Sequence, residues 1–336
     1  MSAAADGDAT RTPPAHRRIE VWETGFTGIR TFAGIEYLTA AEEVDAAIVG
    51  VPFDGAASFR PGARFGPEAI RSASGTLRGY HPGLEVDVFE DLSVVDWGDL
   101  DVIPGNTERT TAEITRTISG LAQREVAPIV LGGDHSIAAG EVAGLSAALG
   151  PMAVVLLDAH ADTLQQEDEG QPFSHGTWLR RVVEQGMIDP ERSVLAGMRG
   201  PVLDAAELEW PRRAGFEVIS CDELRDMGPK RFGKRVRRRV GEAPAHLSVD
   251  IDVVDPAFAP GTGTPEVGGL ASHELLALIR ALTDVDIRGY DVVEVSPPYD
   301  NNGQTTALLA ANVAYDFLAL TALSWNEDEE DDEDAD

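Results

Sequence analysis

Cysteine occurs once in the 336 residues, at Cys221, which excludes an internal disulfide and any multi-cysteine zinc site. The residue reads as a small filler after a strand. Lysine is nearly absent: of 27 basic residues only Lys230 and Lys234 are lysines, against 58 acidic ones, and the formal net charge is −31. The acidic end from Glu327 to Asp336 holds nine of those charges, leaving −22 elsewhere, so the excess belongs to the fold. Such self-repulsion is eased by concentrated salt, where the Debye length shrinks to ~3 Å at 1 M. The reading therefore expects a salt-loving host. A polyanion repels phosphates, and the one basic cluster, 230–239, reads as the exposed face of a helix, so nucleic acid is not an expected partner.

Long apolar runs are also lacking. None approaches the ~20 residues that span a bilayer, and the polar stretch 1–15 has no hydrophobic signal core. The expectation is a cytoplasmic protein with no membrane partner. Residues 1–20 read as a disordered arm, 21–324 as a single domain and 325–336 as an acidic disordered tail. No glycine pattern sits between a strand and a helix start, so Gly261-Thr262-Gly263-Thr264-Pro265 reads as a shaped loop rather than a phosphate cradle.

What is present is a regular alternation. Continuous apolar runs of strand length occur at 46–51, 92–97, 127–131, 153–157, 193–198, 216–220, 246–249 and 289–295, as expected of parallel strands covered on both faces. Helix-like stretches lie between them at 67–77, 108–124, 137–149, 177–185, 205–214, 230–240, 272–283 and 305–323, with Thr107 and Ser272 as credible caps. Eight strands alternating with helices predict a three-layer α/β/α fold around a mostly parallel sheet. Ligands in such folds collect at the carboxyl ends of the strands.

Three of the runs end in metal-grade side chains. Val154 to Leu157 leads into Asp158-Ala159-His160-Ala161-Asp162, whose alternate residues share a face in an extended chain. Ile129 to Leu131 leads into Gly132-Gly133-Asp134-His135, and Leu247 to Val249 into Asp250-Ile251-Asp252. His135, Asp158, His160, Asp162, Asp250 and Asp252 form a hard, oxygen-rich set suited to Mn²⁺. Four aspartates balance two divalent ions, and without metal such crowding raises carboxylate pKa values.

These stretches, Gly132-Gly133-Asp134-His135-Ser136, Asp158 to Asp162 and Ser248 to Pro256, resemble the three signatures of the ureohydrolases, the arginase and agmatinase family. The segments 51–54, 60–67 and 260–266 are similar to family segments too. The resemblance implies an arginase-like fold, a homo-oligomer (trimer or hexamer) and two Mn²⁺ per subunit. By it, His135, Asp158, Asp162 and Asp250 hold one ion, and Asp158, His160, Asp250 and Asp252 the other. Two ions ~3.5 to 4 Å apart lower the pKa of a bridging water. Three catalytic roles follow from the resemblance: Asp162 orients that water, Glu294 grips the guanidinium through two parallel hydrogen bonds, and His175 shuttles a proton to the departing amine.

Arginases follow the Asp-Ala-His motif with an Asn- and Ser-bearing segment that holds a carboxylate. Residues 163–170 here are acidic instead, which favours a substrate with a distal cation. The expected reaction is hydrolysis of agmatine, a small-molecule guanidine, to the polyamine putrescine and urea. Guanidinobutyrase, arginase or formiminoglutamase activity, or a non-catalytic binding protein on the same scaffold, stand as alternatives. His246 reads as a packed strand residue, and His16, His81 and His273 carry no assigned role.

Overall fold

The computed structural model describes residues 28–39, 44–166, 173–202 and 204–333. The expected arm at 1–20, residues 167–170 of the acidic loop and 334–336 of the tail lie outside these. The chain runs β1 (Ala46–Gly50), α1 (Gly66–Ala73), a short ribbon of β2 (Tyr80–His81) and β3 (Val86–Asp87), α2 (Val88–Asp91), β4 (Val94–Asp99), α3 (Thr107–Ala122), β5 (Ala127–Leu131) and α4 (Ala138–Leu149). It continues through β6 (Ala153–Leu157), α5 (Trp178–Glu184), β7 (Val194–Met198), α6 (Ala205–Ala214), β8 (Glu217–Ser220), α7 (Cys221–Met227) and α8 (Pro229–Val240). The last elements are β9 (Ala245–Asp250), α9 (Ser272–Arg280), β10 (Ile287–Val293) and α10 (Thr305–Glu333).

Eight strands form one sheet in the order β4-β1-β5-β10-β9-β6-β7-β8, and every pairing in it is parallel. Alternate side chains enter opposite cores, as the pleat dictates. Ile48, Ile129 and Val155 pack with α1 and α7 to α10, whereas Val49, Val130 and Val154 pack toward α3 to α5. Burial on both faces explains why the runs are continuous rather than alternating. The architecture is the expected three-layer α/β/α fold.

Several local expectations give way to stronger local chemistry. The cap of α3 is Asn106, whose Oδ1 accepts from Arg109 N at 3.0 Å, so Thr107 is already helical. Likewise Ser272 lies inside α9, where the Glu274 carboxylate accepts from Ala271 N–H at 2.7 Å. Helix α7 has no counterpart among the helix-like stretches of the sequence. Cys221 opens it, buried, after a Ser220–Glu223 capping box. With no Gly or Pro beyond Leu323, α10 continues to Glu333. Its stretch Thr305–Trp325 is apolar and long enough to cross a membrane, contrary to the estimate from runs alone, but 83% of its apolar window is buried inside the fold.

Candidate metal centre

The four central strands in the sheet, β5, β10, β9 and β6, lie side by side, and the predicted site residues follow their carboxyl ends. His135 opens a 3₁₀ turn after β5, Asp158 to Asp162 follow β6, Asp250 closes β9 with Asp252 in the 3₁₀ turn after it, and Glu294 follows β10. Chain order reverses between β5 and β6, which makes this the crevice expected for ligands in an open α/β sheet.

All six predicted ligands converge. His135 Nδ1 lies 3.2 Å from Asp158 Oδ2, 3.0 Å from Asp162 Oδ2 and 3.3 Å from Asp250 Oδ2. His160 Nδ1 lies 3.0 Å from Asp252 Oδ2 and 3.5 Å from Asp158 Oδ1. Asp158 thus belongs to both ligand clusters, as a bridging residue must, and Asp250 falls in the first.

The hydrogen-bond network tests whether these donors fit a cation. Ser248 Oγ donates to Asp291 Oδ1 at 2.8 Å, so its oxygen accepts from His135 Nε2–H, also at 2.8 Å. That assignment leaves the Nδ1 lone pair facing three carboxylate oxygens. Buried His135 Nδ1 and Asp158 Oδ2 accordingly have no hydrogen-bond partner. Only positive charge between them, a proton or a metal ion, makes the arrangement tenable. The donor set fits a hard divalent ion.

The ionisation behaviour carries the same message. Burial and the charge of Asp158 push Asp162 up to about 6. Burial, Asp252 and Asp158 hold Asp250 well above the carboxylate range. Burial alone would lower the His135 pKa, but Asp158, Asp162 and Asp250 raise it well above the usual imidazole value. His160 is raised by Asp252 and Asp158 in the same way, against desolvation. Burial opposes ionisation of Asp158, yet contact with both imidazoles lowers its pKa.

Glu294 and His175 adjoin the cluster and are both buried. Glu294 Oε1 accepts from His135 N and from His175 Nδ1, each at 2.9 Å. Both of these bonds fall on Oε1 rather than Oε2. Asp162 and Glu294 have φ of 51° and 62°, a left-handed conformation uncommon outside glycine. Their carboxylates turn into the crevice because neighbours hold these turns: Glu294 N donates to Gly133 O at 2.8 Å, and Trp178 Nε1 donates to Asp162 Oδ2 at 2.8 Å. Gly133 has no alternative, since a Cβ there would stand 1.7 Å from Phe53 O.

Sequence reasoning assigned nothing to Trp178, Asp134, Ser58, Ser248 or Asp291. Asp134 ties the loop after β1 to the site, its Oδ2 accepting from Ala56 N at 2.8 Å. His246, read as a packed residue, is buried but also paired, its Nε2 lying 2.8 Å from Asp291 Oδ2. Ser248 and Asp291 stood inside stretches already singled out and could have been read as outer partners of the ligands; Trp178 and Ser58 carry no sequence signal.

A cavity of about 230 Å³ opens onto the cluster, lined among others by Ser58, His160, Asp162, His175, Asp250 and Glu207. Imidazoles and carboxylates gathered at the central strand ends of a parallel α/β sheet mark a candidate metal centre. Residues 44–320 match the Arginase family model. The chain is 39% identical to proclavaminate amidinohydrolase of Streptomyces clavuligerus over 87% of its own length and 93% of the relative's. A crystal structure from that source superposes with a TM-score of 0.85 at 38% identity, covering 89% of this chain and 99% of that one. Guanidinobutyrase of Pseudomonas aeruginosa is 38% identical, covering 88% of this chain and 93% of its own. Agmatinase of Neisseria meningitidis is 38% identical, covering 85% and 90%. The chain belongs to the arginase family and is a hydrolase of guanidino compounds.

Proposed function

We propose that the protein is an agmatinase, hydrolysing agmatine to putrescine and urea with two Mn²⁺ ions per subunit. His135, Asp158, Asp162 and Asp250 would hold one ion, and Asp158, His160, Asp250 and Asp252 the other. When bound, the pair supplies an activated water near neutral pH. The chain's own residues do the rest. Glu294 Oε2 accepts a guanidinium N–H while its other oxygen stays anchored on His135 N and His175. That anchoring fixes the carboxylate and orients the planar cation. Asp162 lines the same cavity and would orient that water, and His175 would carry a proton to the departing amine.

The charge of the cavity wall carries the choice of substrate. Glu207 lines it together with Asp162 and Asp250, which are assigned to the ions, and Arg199, the one arginine among its described lining residues, spends its guanidinium on backbone carbonyls. Its bonds reach Val253 O at 3.0 Å, Asp252 O at 2.6 Å and Glu266 O at 2.7 Å. A distal ammonium is stabilised in such surroundings. A distal carboxylate buried there without a donor costs several kcal/mol, on the order of 10²-fold or more in kcat/KM. A second reading, guanidinobutyrate, rests on the relative of that name, 38% identical to this chain. Urea release from agmatine, guanidinobutyrate, arginine and formiminoglutamate, measured with Mn²⁺ in molar salt, separates them. Higher efficiency with a carboxylate-bearing guanidine would overturn the agmatine assignment.

A further inference from the structure

His175 is buried, yet its Nε2 edge meets the exposed residue Ser58. Ser58 N–H reaches Nε2 at 3.1 Å, and an amide can only donate, so Nε2 holds the lone pair. The ring hydrogen is therefore on Nδ1, donated to Glu294 Oε1 at 2.9 Å. It follows that Ser58 Oγ, 2.7 Å from the same Nε2, donates its hydrogen there as well. Carboxylate, imidazole and hydroxyl form one line, the geometry that elsewhere activates a serine through a histidine. Ser58 and His175 line the same cavity as Asp162, His160 and Asp250. The loop carrying Ser58 is held at Ala56, whose N–H donates to Asp134 Oδ2 at 2.8 Å and whose carbonyl accepts from His175 N at 3.3 Å.

We propose that Ser58 is a catalytic residue, the hydroxyl that passes a proton from His175 to the leaving amine. The proposal rests on the guanidine-hydrolase reading. In the reaction a C–O bond forms, the C–N bond breaks with its electron pair going to nitrogen, and both hydrogens of the water end on the amine. His175 holds one of them as imidazolium. Its Nε2–H then faces the Ser58 amide, which cannot accept, and the Ser58 oxygen, which can. Ser58 gives its own hydrogen to the amine nitrogen as it takes the one on Nε2, and His175 returns to its neutral form.

The test compares Ser58→Ala, Ser58→Thr, His175→Asn and the Ser58→Ala/His175→Asn double variant in urea release with Mn²⁺. Ser58→Ala should lower kcat about 10- to 100-fold with KM little changed. Threonine, which keeps the hydroxyl, should restore most of that loss. On the His175→Asn background the alanine change should cost nothing further, because the two act as one unit. Wild-type kcat in Ser58→Ala, or an undiminished loss in the double variant, would overturn the proposal. The imidazole ¹⁵N spectrum of the resting protein checks the contact without turnover: Ser58→Ala should shift the His175 Nε2 resonance and leave Nδ1 in place. An unmoved Nε2 resonance overturns the contact itself, whereas wild-type protein that releases no urea from any guanidine, with that resonance still moving, overturns the hydrolase reading instead.

Discussion

Metal binding at this cluster should expel protons, and the number follows from the ion-free geometry. Without an ion, the positive charge needed between His135 Nδ1 and its carboxylates is supplied by protons: both imidazoles are raised by their acidic neighbours. Asp250 is pushed well above its usual range, and Asp162 rises to about 6. With both imidazoles held protonated by their acidic neighbours, loading two ions should release on the order of two protons near pH 7. Protons compete with the metal, so affinity rises with pH, by about 1.4 kcal/mol per released proton per pH unit. The ion-free fold behaves oppositely. A group whose folded pKa is raised stabilises the fold below its unfolded value and loses that contribution as pH climbs through the folded one. For Asp162, from 3.8 to about 6, that is on the order of 3 kcal/mol lost between about pH 4 and 6. Titration calorimetry with Mn²⁺ in buffers of different ionisation heats reads the protons directly. Release near zero at pH 7, or pH-independent affinity, would refute the assignment of these six residues as the ion site.

Trp178→Phe keeps the ring against His135 but removes the indole donor to Asp162, and should weaken Mn²⁺ binding about tenfold in the same calorimetry with little change in the fold. Arg71 is buried and grips Asp96 with two bonds, at 2.8 and 2.9 Å; Arg71→Met strands that buried carboxylate and should cost roughly 3 to 5 kcal/mol in denaturant unfolding. The net charge of −31 predicts a thermal midpoint that climbs steeply from dilute to molar KCl, and a flat curve would refute the inference of a salt-loving host.

The strands were legible because a parallel sheet buried on both faces writes itself as uninterrupted apolar runs; 127–131 and 153–157 match β5 and β6 to the residue. The ligands were legible for a related reason. Each follows a strand end, and the fold places strand ends from distant parts of the chain side by side. Helix termini were harder, since Asn106 and Glu274 win their caps through side-chain geometry that neighbouring Thr107 and Ser272 could have supplied equally well on composition. Contacts across the crevice were not legible at all. Ser58 and His175 are 117 positions apart, and the hydrogen bond that joins them depends on how the loop after β1 drapes over Asp134.

Strain and support are paired in this site. Six of the described non-glycine residues have positive φ, and two of them, Asp162 and Glu294, carry carboxylates into the crevice. Such conformations cost on the order of 1 to 3 kcal/mol each and persist only where surrounding contacts over-determine them. Here the contacts can be named: Gly133 O and His135 N on Glu294, Trp178 on Asp162, and Asp134 holding the loop that covers both. An extended backbone continuing β10 would turn the next side chain onto a face of the sheet rather than into the cleft at the strand ends. The left-handed turn is what re-aims it. The same turn leaves Glu294 Oε1 within reach of His175, so one backbone feature sets both the anchor proposed for the guanidinium and the tautomer of the imidazole that faces Ser58.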